Sequence, residues 1–178
     1  MTPLTALLTV AICLGLFSAP AQAQQPYAGL EGRAIKALSD RDVADLRAGR
    51  GMGMALAAEL NGYPGPMHVL ELADSLGLSG EQRDKVQNLF AAMKSEAVPL
   101  GEKLIVQEAE LDRQFAAKTV TPDSLKAATA AIGATQAALR ETHLKYHLST
   151  LEVLAPGQVE RYRALRGYDH GMHAPGRH

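Results

Sequence analysis

The sequence has no tryptophan, only three phenylalanines and five tyrosines, a single cysteine, and no excess of charge of either sign. Each shortage excludes something. With 18 Lys and Arg against 19 Asp and Glu, the chain lacks the strong basic balance of a nucleic-acid-binding protein. The lone thiol, Cys13, lies in an N-terminal apolar stretch expected to be removed, so the remainder has neither a disulfide nor a thiol nucleophile. The scarcity of aromatic residues leaves alanine and leucine to build the core, which suits helix packing. No HExxH, nucleophile elbow or phosphate-binding glycine loop occurs, and a non-enzymatic protein without a required cofactor is expected. Beyond the first residues no stretch is apolar enough to cross a membrane.

What is present begins with that stretch. Residues 4–17 are apolar and uncharged, and Ala21-Gln22-Ala23 follows as a small-x-small cleavage signal. The run falls short of the roughly 18 residues a spanning helix needs. Cleavage after Ala23 is expected, with export to the periplasm of a Gram-negative cell. Ile12, where a small residue would be needed, argues against lipid attachment at Cys13.

Helix signals then recur and strand signals are almost absent. Ser39-Asp40-Arg41-Asp42 reads as a capped helix start. Glycines 49, 51 and 53 weaken that helix before residues 54–60 resume it. Asn61-Gly62-Tyr63-Pro64-Gly65-Pro66 is the strongest breaker in the chain. A short helix with Pro66 in its first turn is predicted next, ending at Gly77. Ser79 and Gln82 have capping-box spacing. The helix they open carries a seam of Val86, Phe90, Met93, Ala97, Leu100, Leu104, Gln107 and Leu111, with a kink or break expected at Pro99. Thr121-Pro122 restarts a helix with a matching stripe of Leu125, Ala128, Ile132, Thr135, Leu139, Thr142, Tyr146 and Val153. Two long seams joined by a few residues predict an antiparallel helical hairpin. One more short helix follows Leu154.

Two pentads stand at helix starts on either side of the hairpin: Leu78-Ser79-Gly80-Glu81-Gln82 and Leu154-Ala155-Pro156-Gly157-Gln158. Both fit L-x-x-x-Q. In this pairing the chain resembles the Spy/CpxP family of periplasmic helical proteins, whose mark is a doubled L-T-x-x-Q. Ser79 keeps the hydroxyl of the family threonine. Ala155 does not, so the second motif loses a side-chain cap typically worth about 1 kcal/mol, Gln158 has no hydroxyl partner, and a weaker structural role is expected there. The resemblance implies an all-α fold: an antiparallel hairpin with short N- and C-terminal helices, often paired into a homodimer. The resemblance covers residues 66–167, and with the leader and tail read from the residues the chain divides into a signal peptide (1–23), an N-terminal helical segment with a Pro/Gly linker (24–65), a Spy/CpxP-like helical domain (66–167) and a disordered, histidine-containing tail (168–178). It further implies one of two roles: ATP-independent, chaperone-like binding of unfolded or regulatory proteins under envelope or metal stress, or heavy-metal sensing or resistance.

The residues themselves offer two candidate metal sites. His143 and His147, at i and i+4, put two imidazoles on one helix face within reach of one ion. They fall between the Ile132/Leu139/Tyr146 stripe and a second stripe of Leu144, Leu148 and Leu151, at an expected packing boundary. The alternative is a pair bonded to water or backbone at the core edge. Glu59, His68 and Glu141 are further donors that sequence does not rank. The tail offers Asp169, His170, Met172, His173 and His178, suited to copper or nickel, with zinc also possible; it can equally be a solvated end. Met52 and Met54 add thioethers, for which helix packing is the expected role, and Met67-His68 is a further mixed pair. For the chaperone reading, Leu100, Leu104, Ile105, Val106, Leu111 and Phe115 supply more apolar surface than one seam consumes.

Overall fold

The computed structural model describes residues 27–168. The expected signal peptide lies outside them, as do His170 and His173. The order is a single 3-10 turn at Leu30–Gly32, then α1 (Asp40–Arg47), α2 (Leu56–Glu59), α3 (Pro66–Glu71), α4 (Ala73–Leu76), α5 (Gly80–Ala116), α6 (Pro122–Val153) and α7 (Pro156–Leu165). No strand forms among the described residues, and the fold is all-α, as the helix signals predict.

The long pair α5 and α6 is the frame. At about 1.5 Å per residue, the 37 residues of α5 make a rod about 55 Å long. Its start is fixed by local chemistry: Ser79 Oγ accepts from Gln82 N, and Gln82 Oε1 accepts from Ser79 N, both at 3.1 Å. The same device opens α1 between Ser39 and Asp42 and opens α6 between Thr121 and Ser124. Gly77 ends α4 in the left-handed conformation, φ 63°. The single short helix predicted after Pro66 is interrupted at Leu72, giving α3 and α4.

Pro99 does not break α5, which runs continuously past it. Proline removes one backbone donor, and the helix carries that loss where α1 packs across it. Gly101 marks the crossing: a Cβ built there would sit 2.4 Å from the carbonyl oxygen of Leu46. Only a bare Cα lets the end of α1 lie this close.

Two apolar clusters bracket the middle of the hairpin. One joins Leu46 of α1 to Ala97, Leu104 and Ile105 of α5 and Ile132 and Leu139 of α6. The other joins Val69 and Leu76 to Val86, Leu154 and Tyr162. Ile105 and Leu104 are therefore ordinary core against the N-terminal segment, while Val106 and Phe115 stay exposed towards the hairpin tip. Between the clusters, on the stretch of α6 after Leu139 and before Leu154, lie the two histidines.

Candidate functional site

Both imidazoles are buried, His143 with 3% and His147 with 8% of its surface exposed. The packing boundary expected from the two stripes lies elsewhere. Leu148 of the outer stripe is the exposed residue, and the histidines turn inward with Thr142, Tyr146 and Thr150. The physical reason is the N-terminal segment. It folds back over this part of the hairpin and covers the face that a two-helix seam alone would leave half open.

Between the roof and the hairpin lies an open cavity of about 500 Å³. The roof contributes Arg41 and Asp45 of α1, Gly49 to Gly53, Glu59 of α2, and Gly65 to His68. The hairpin contributes Phe90, Met93 and Lys94 from α5 and the two histidines from α6, and Arg166 and Tyr168 reach in after α7. The breaker sequence earns its position here. Tyr63 O accepts from His147 Nδ1 at 2.6 Å, and Gly65 lies against the other edge of the ring. A Cβ on Gly65 would be 2.8 Å from His147 Cε1 and 2.9 Å from Nε2. With Nδ1 bonded to a backbone carbonyl, Nε2 is the ring nitrogen left for another partner.

His143 is held differently. Gly51 sits over the ring, where a Cβ would be 3.6 Å from Nδ1. Its Nε2 is buried and has no hydrogen-bond partner. Burial first, and the neighbouring His147 second, push the His143 pKa below its ordinary value, which favours the neutral imidazole. A buried ring nitrogen left without a partner is uncommon and requires an explanation.

Glu59 is the buried acid beside this pair, 7% exposed. Its Oε1 accepts from the hydroxyls of Tyr162 at 2.5 Å and Tyr168 at 2.9 Å, with Arg166 Nε 3.5 Å away. Its Oε2 accepts from Gly65 N at 3.2 Å and lies 3.7 Å from His147 Nδ1. Burial, then the bond to Glu59, drives the Tyr162 phenol pKa far upward, so it remains a donor. The carboxylate thus ties the roof to the C-terminal helix. Tyr168, expected at the start of the tail, belongs to this network.

Of the other residues considered from sequence, His68, Met52 and Met67 line the cavity, with His68 Nδ1 2.9 Å from Glu71 Oε2. Met54 packs against the apolar cluster of α1. Glu141 is exposed and lies outside the lining. Met93, read from sequence only as a seam position, lines the cavity, and so does Gly65. Glu59 had no rank because its burial depends on α2 folding back, which no local pattern encodes. Among the described residues no three His, Cys, Asp or Glu side chains form a group able to hold a metal ion.

The second pentad also departs from expectation. Gln158 Oε1 accepts the Ala155 N–H at 2.9 Å without help from a hydroxyl, and the same oxygen accepts from Gln82 Nε2 at 2.9 Å. Gln158 Nε2 donates back to Gln82 Oε1 at 3.1 Å. The weaker role expected for Gln158 is therefore corrected: the glutamine needs only the backbone N–H at position 155, and it finds a second partner in the first motif.

Fold and site together define an all-helical protein of the Spy/CpxP type, with a ligand-sized cavity between its hairpin and its N-terminal roof. Residues 48–161 match the heavy-metal resistance family, and the chain belongs to that family. Neither the curated proteins nor the solved structures gave a significant match. That family is one of heavy-metal resistance, and it gives no support to chaperone-like binding.

Proposed function

We propose that this protein is a periplasmic heavy-metal-binding protein of a resistance or sensing system, and that it takes its ion in the cavity beneath the N-terminal roof. Coordination, without catalysis, is the whole of the proposed chemistry. The observation that carries the reading is the buried, unpartnered Nε2 of His143, one helical turn from His147, whose ring is fixed by Tyr63. Two features support the reading: an imidazole nitrogen without a partner is available as a ligand, and a backbone carbonyl on the far nitrogen is the usual support for one. His143 and His147 would hold the ion, and the remaining ligands come from the lining.

Calorimetric titration of the exported protein with zinc, copper and nickel tests this, alongside the His143→Ala/His147→Ala double variant. Submicromolar binding of at least one ion, lost in the variant, is expected. Binding that survives removal of both histidines would place the site elsewhere. Absence of binding by all three ions would reject the reading.

A further inference from the structure

Building on the metal-binding reading, we infer that the cavity is adapted to a soft monovalent cation, of the copper(I) class, held by His143 and His147 together with the thioethers of Met93 and Met52.

Beside the two imidazoles the cavity is lined by the thioethers of Met52, Met67 and Met93, by the imidazole of His68, whose Nδ1 is paired with Glu71, and by two carboxylates. Met93 is buried in α5 and Met52 stands at the rim. Thioether sulfur is a neutral, polarisable ligand that selects copper(I) over the harder divalent ions. The two carboxylates in the lining are already committed. Asp45 pairs with Arg50 at 2.5 Å and Arg41 at 3.7 Å, and Glu59 accepts from Tyr162, Tyr168 and Gly65 N. A zinc or nickel ion seeking a carboxylate would have to break one of these sets.

Charge favours the same choice. Arg41, Arg50, Lys94 and Arg166 line the cavity against Asp45 and Glu59, a net positive wall. Coulomb repulsion is proportional to the charge of the entering ion, so a divalent cation meets twice the opposition of a monovalent one. The backbone adds an independent observation. Met52 is held in the left-handed region at φ 46°, beside Gly53 at φ 79°. A methionine in that region is strained, and such strain persists where the surroundings require it. Met52 lines the cavity, whereas Met54, two residues on, packs into the core.

The test uses the full exported chain carrying His170→Ala, Met172→Leu, His173→Ala and His178→Ala, so that tail donors cannot contribute. Silver(I), a redox-inert ion of the same class, is titrated in competition format, with zinc and nickel in parallel. Met52→Leu and Met93→Leu are added singly, since leucine keeps the volume and removes the sulfur. Silver binding about a hundredfold or more tighter than zinc or nickel is expected, with each Met→Leu change weakening silver by about tenfold or more and leaving zinc unchanged. Circular dichroism verifies that each variant is folded. Should a variant fail to fold, X-ray absorption of the copper(I)-loaded parent decides: a sulfur shell supports the inference, and a shell of nitrogen and oxygen alone overturns it. Zinc or nickel binding as tightly as silver, or silver binding indifferent to both methionines, overturns the soft-cation inference and leaves the histidine site standing. If none of the ions binds, the metal-binding reading itself falls, and this inference with it.

Discussion

Gln82 and Gln158, 76 residues apart, pair their side-chain amides reciprocally, Nε2 to Oε1 at 2.9 Å in one direction and 3.1 Å in the other. Each amide also serves its own helix start, Gln82 Oε1 taking Ser79 N–H and Gln158 Oε1 taking Ala155 N–H. Gln82 Nε2 further donates to Val153 O, at the end of α6. The two pentads are therefore one structure, a polar clasp joining the starts of α5 and α7 next to the cluster of Val69, Val86 and Tyr162. A lone pentad is a helix cap, and the pair is a tertiary contact.

The clasp predicts non-additivity. Gln82→Ala and Gln158→Ala should each cost about 1–3 kcal/mol, because each leaves half-buried partners unsatisfied. The double variant should cost less than the sum, with a coupling energy of about 0.5–3 kcal/mol. Urea unfolding of the four proteins measures it. Additivity within about 0.5 kcal/mol would mean that the glutamines act as independent caps.

Glycine to alanine inside a helix ordinarily stabilises by about 1 kcal/mol. Gly133 of α6, with nothing within 4 Å of a built Cβ, should follow that rule. Gly101 should invert it. There the new methyl would meet the Leu46 carbonyl at 2.4 Å, and backbone cannot swing aside as a side chain can. Gly101→Ala should lower stability by about 1–3 kcal/mol by lifting α1 from α5. Thermal unfolding of the two variants should move in opposite directions; a shared rise in Tm would show that α1 yields without cost.

What was legible in the sequence was local. Ser39, Ser79 and Thr121 announce helix starts because a cap needs only residues within one turn, and Gly77 announces an end for the same reason. The hairpin was legible because two seams of similar length flank a short connection. The depth of His143 and His147 was not: α6 carries two apolar stripes, and which one faces inward depends on the N-terminal roof. The roof's position rests on Gly101 meeting Leu46 and Gly65 meeting His147, contacts between residues more than 50 positions apart. Helical periodicity does not encode them. The role of Gln158 is non-local for a related reason, since its partner is not the missing hydroxyl at position 155 but an amide in the other motif.

Bridging α5 to α6, Glu96 gives a pH dependence whose sign is fixed. Its carboxyl is held below the ordinary glutamate range, first by the hydrogen bond from Lys145 at 2.5 Å and then by that from the Tyr146 hydroxyl at 2.7 Å. A depressed folded-state pKa stabilises at pH values above the unfolded value, and that stabilisation is lost as pH falls through the folded one. Glu96→Gln should therefore be less stable than the parent at neutral pH, and the gap should close as pH drops below about 4.3. Because the Lys145 contribution is solvent-exposed, added salt should shrink the gap at neutral pH without abolishing the Tyr146 part. Unfolding free energies measured across this pH range give the answer; a gap independent of pH would assign the loss to packing instead.

Gly65 offers the sharpest probe of the site because its backbone is ordinary, at φ −82° and ψ 145°, so alanine meets no conformational penalty there. What it meets is the His147 ring, 2.8 Å from Cε1 and 2.9 Å from Nε2, with Glu59 Oε2 next at 3.6 Å. Gly65→Ala should rotate or displace the imidazole, loosen its bond to Tyr63 O, and destabilise the protein by about 1–3 kcal/mol. The cost should be conditional. In a His147→Ala background the ring is gone, the new methyl enters space the imidazole occupied, and Gly65→Ala should become nearly neutral. The coupling between the two substitutions, read from denaturant unfolding, measures how firmly the linker grips the histidine. If Gly65→Ala costs the same with and without the ring, the clash lies in the Glu59 network, and the linker supports the acid instead of the imidazole.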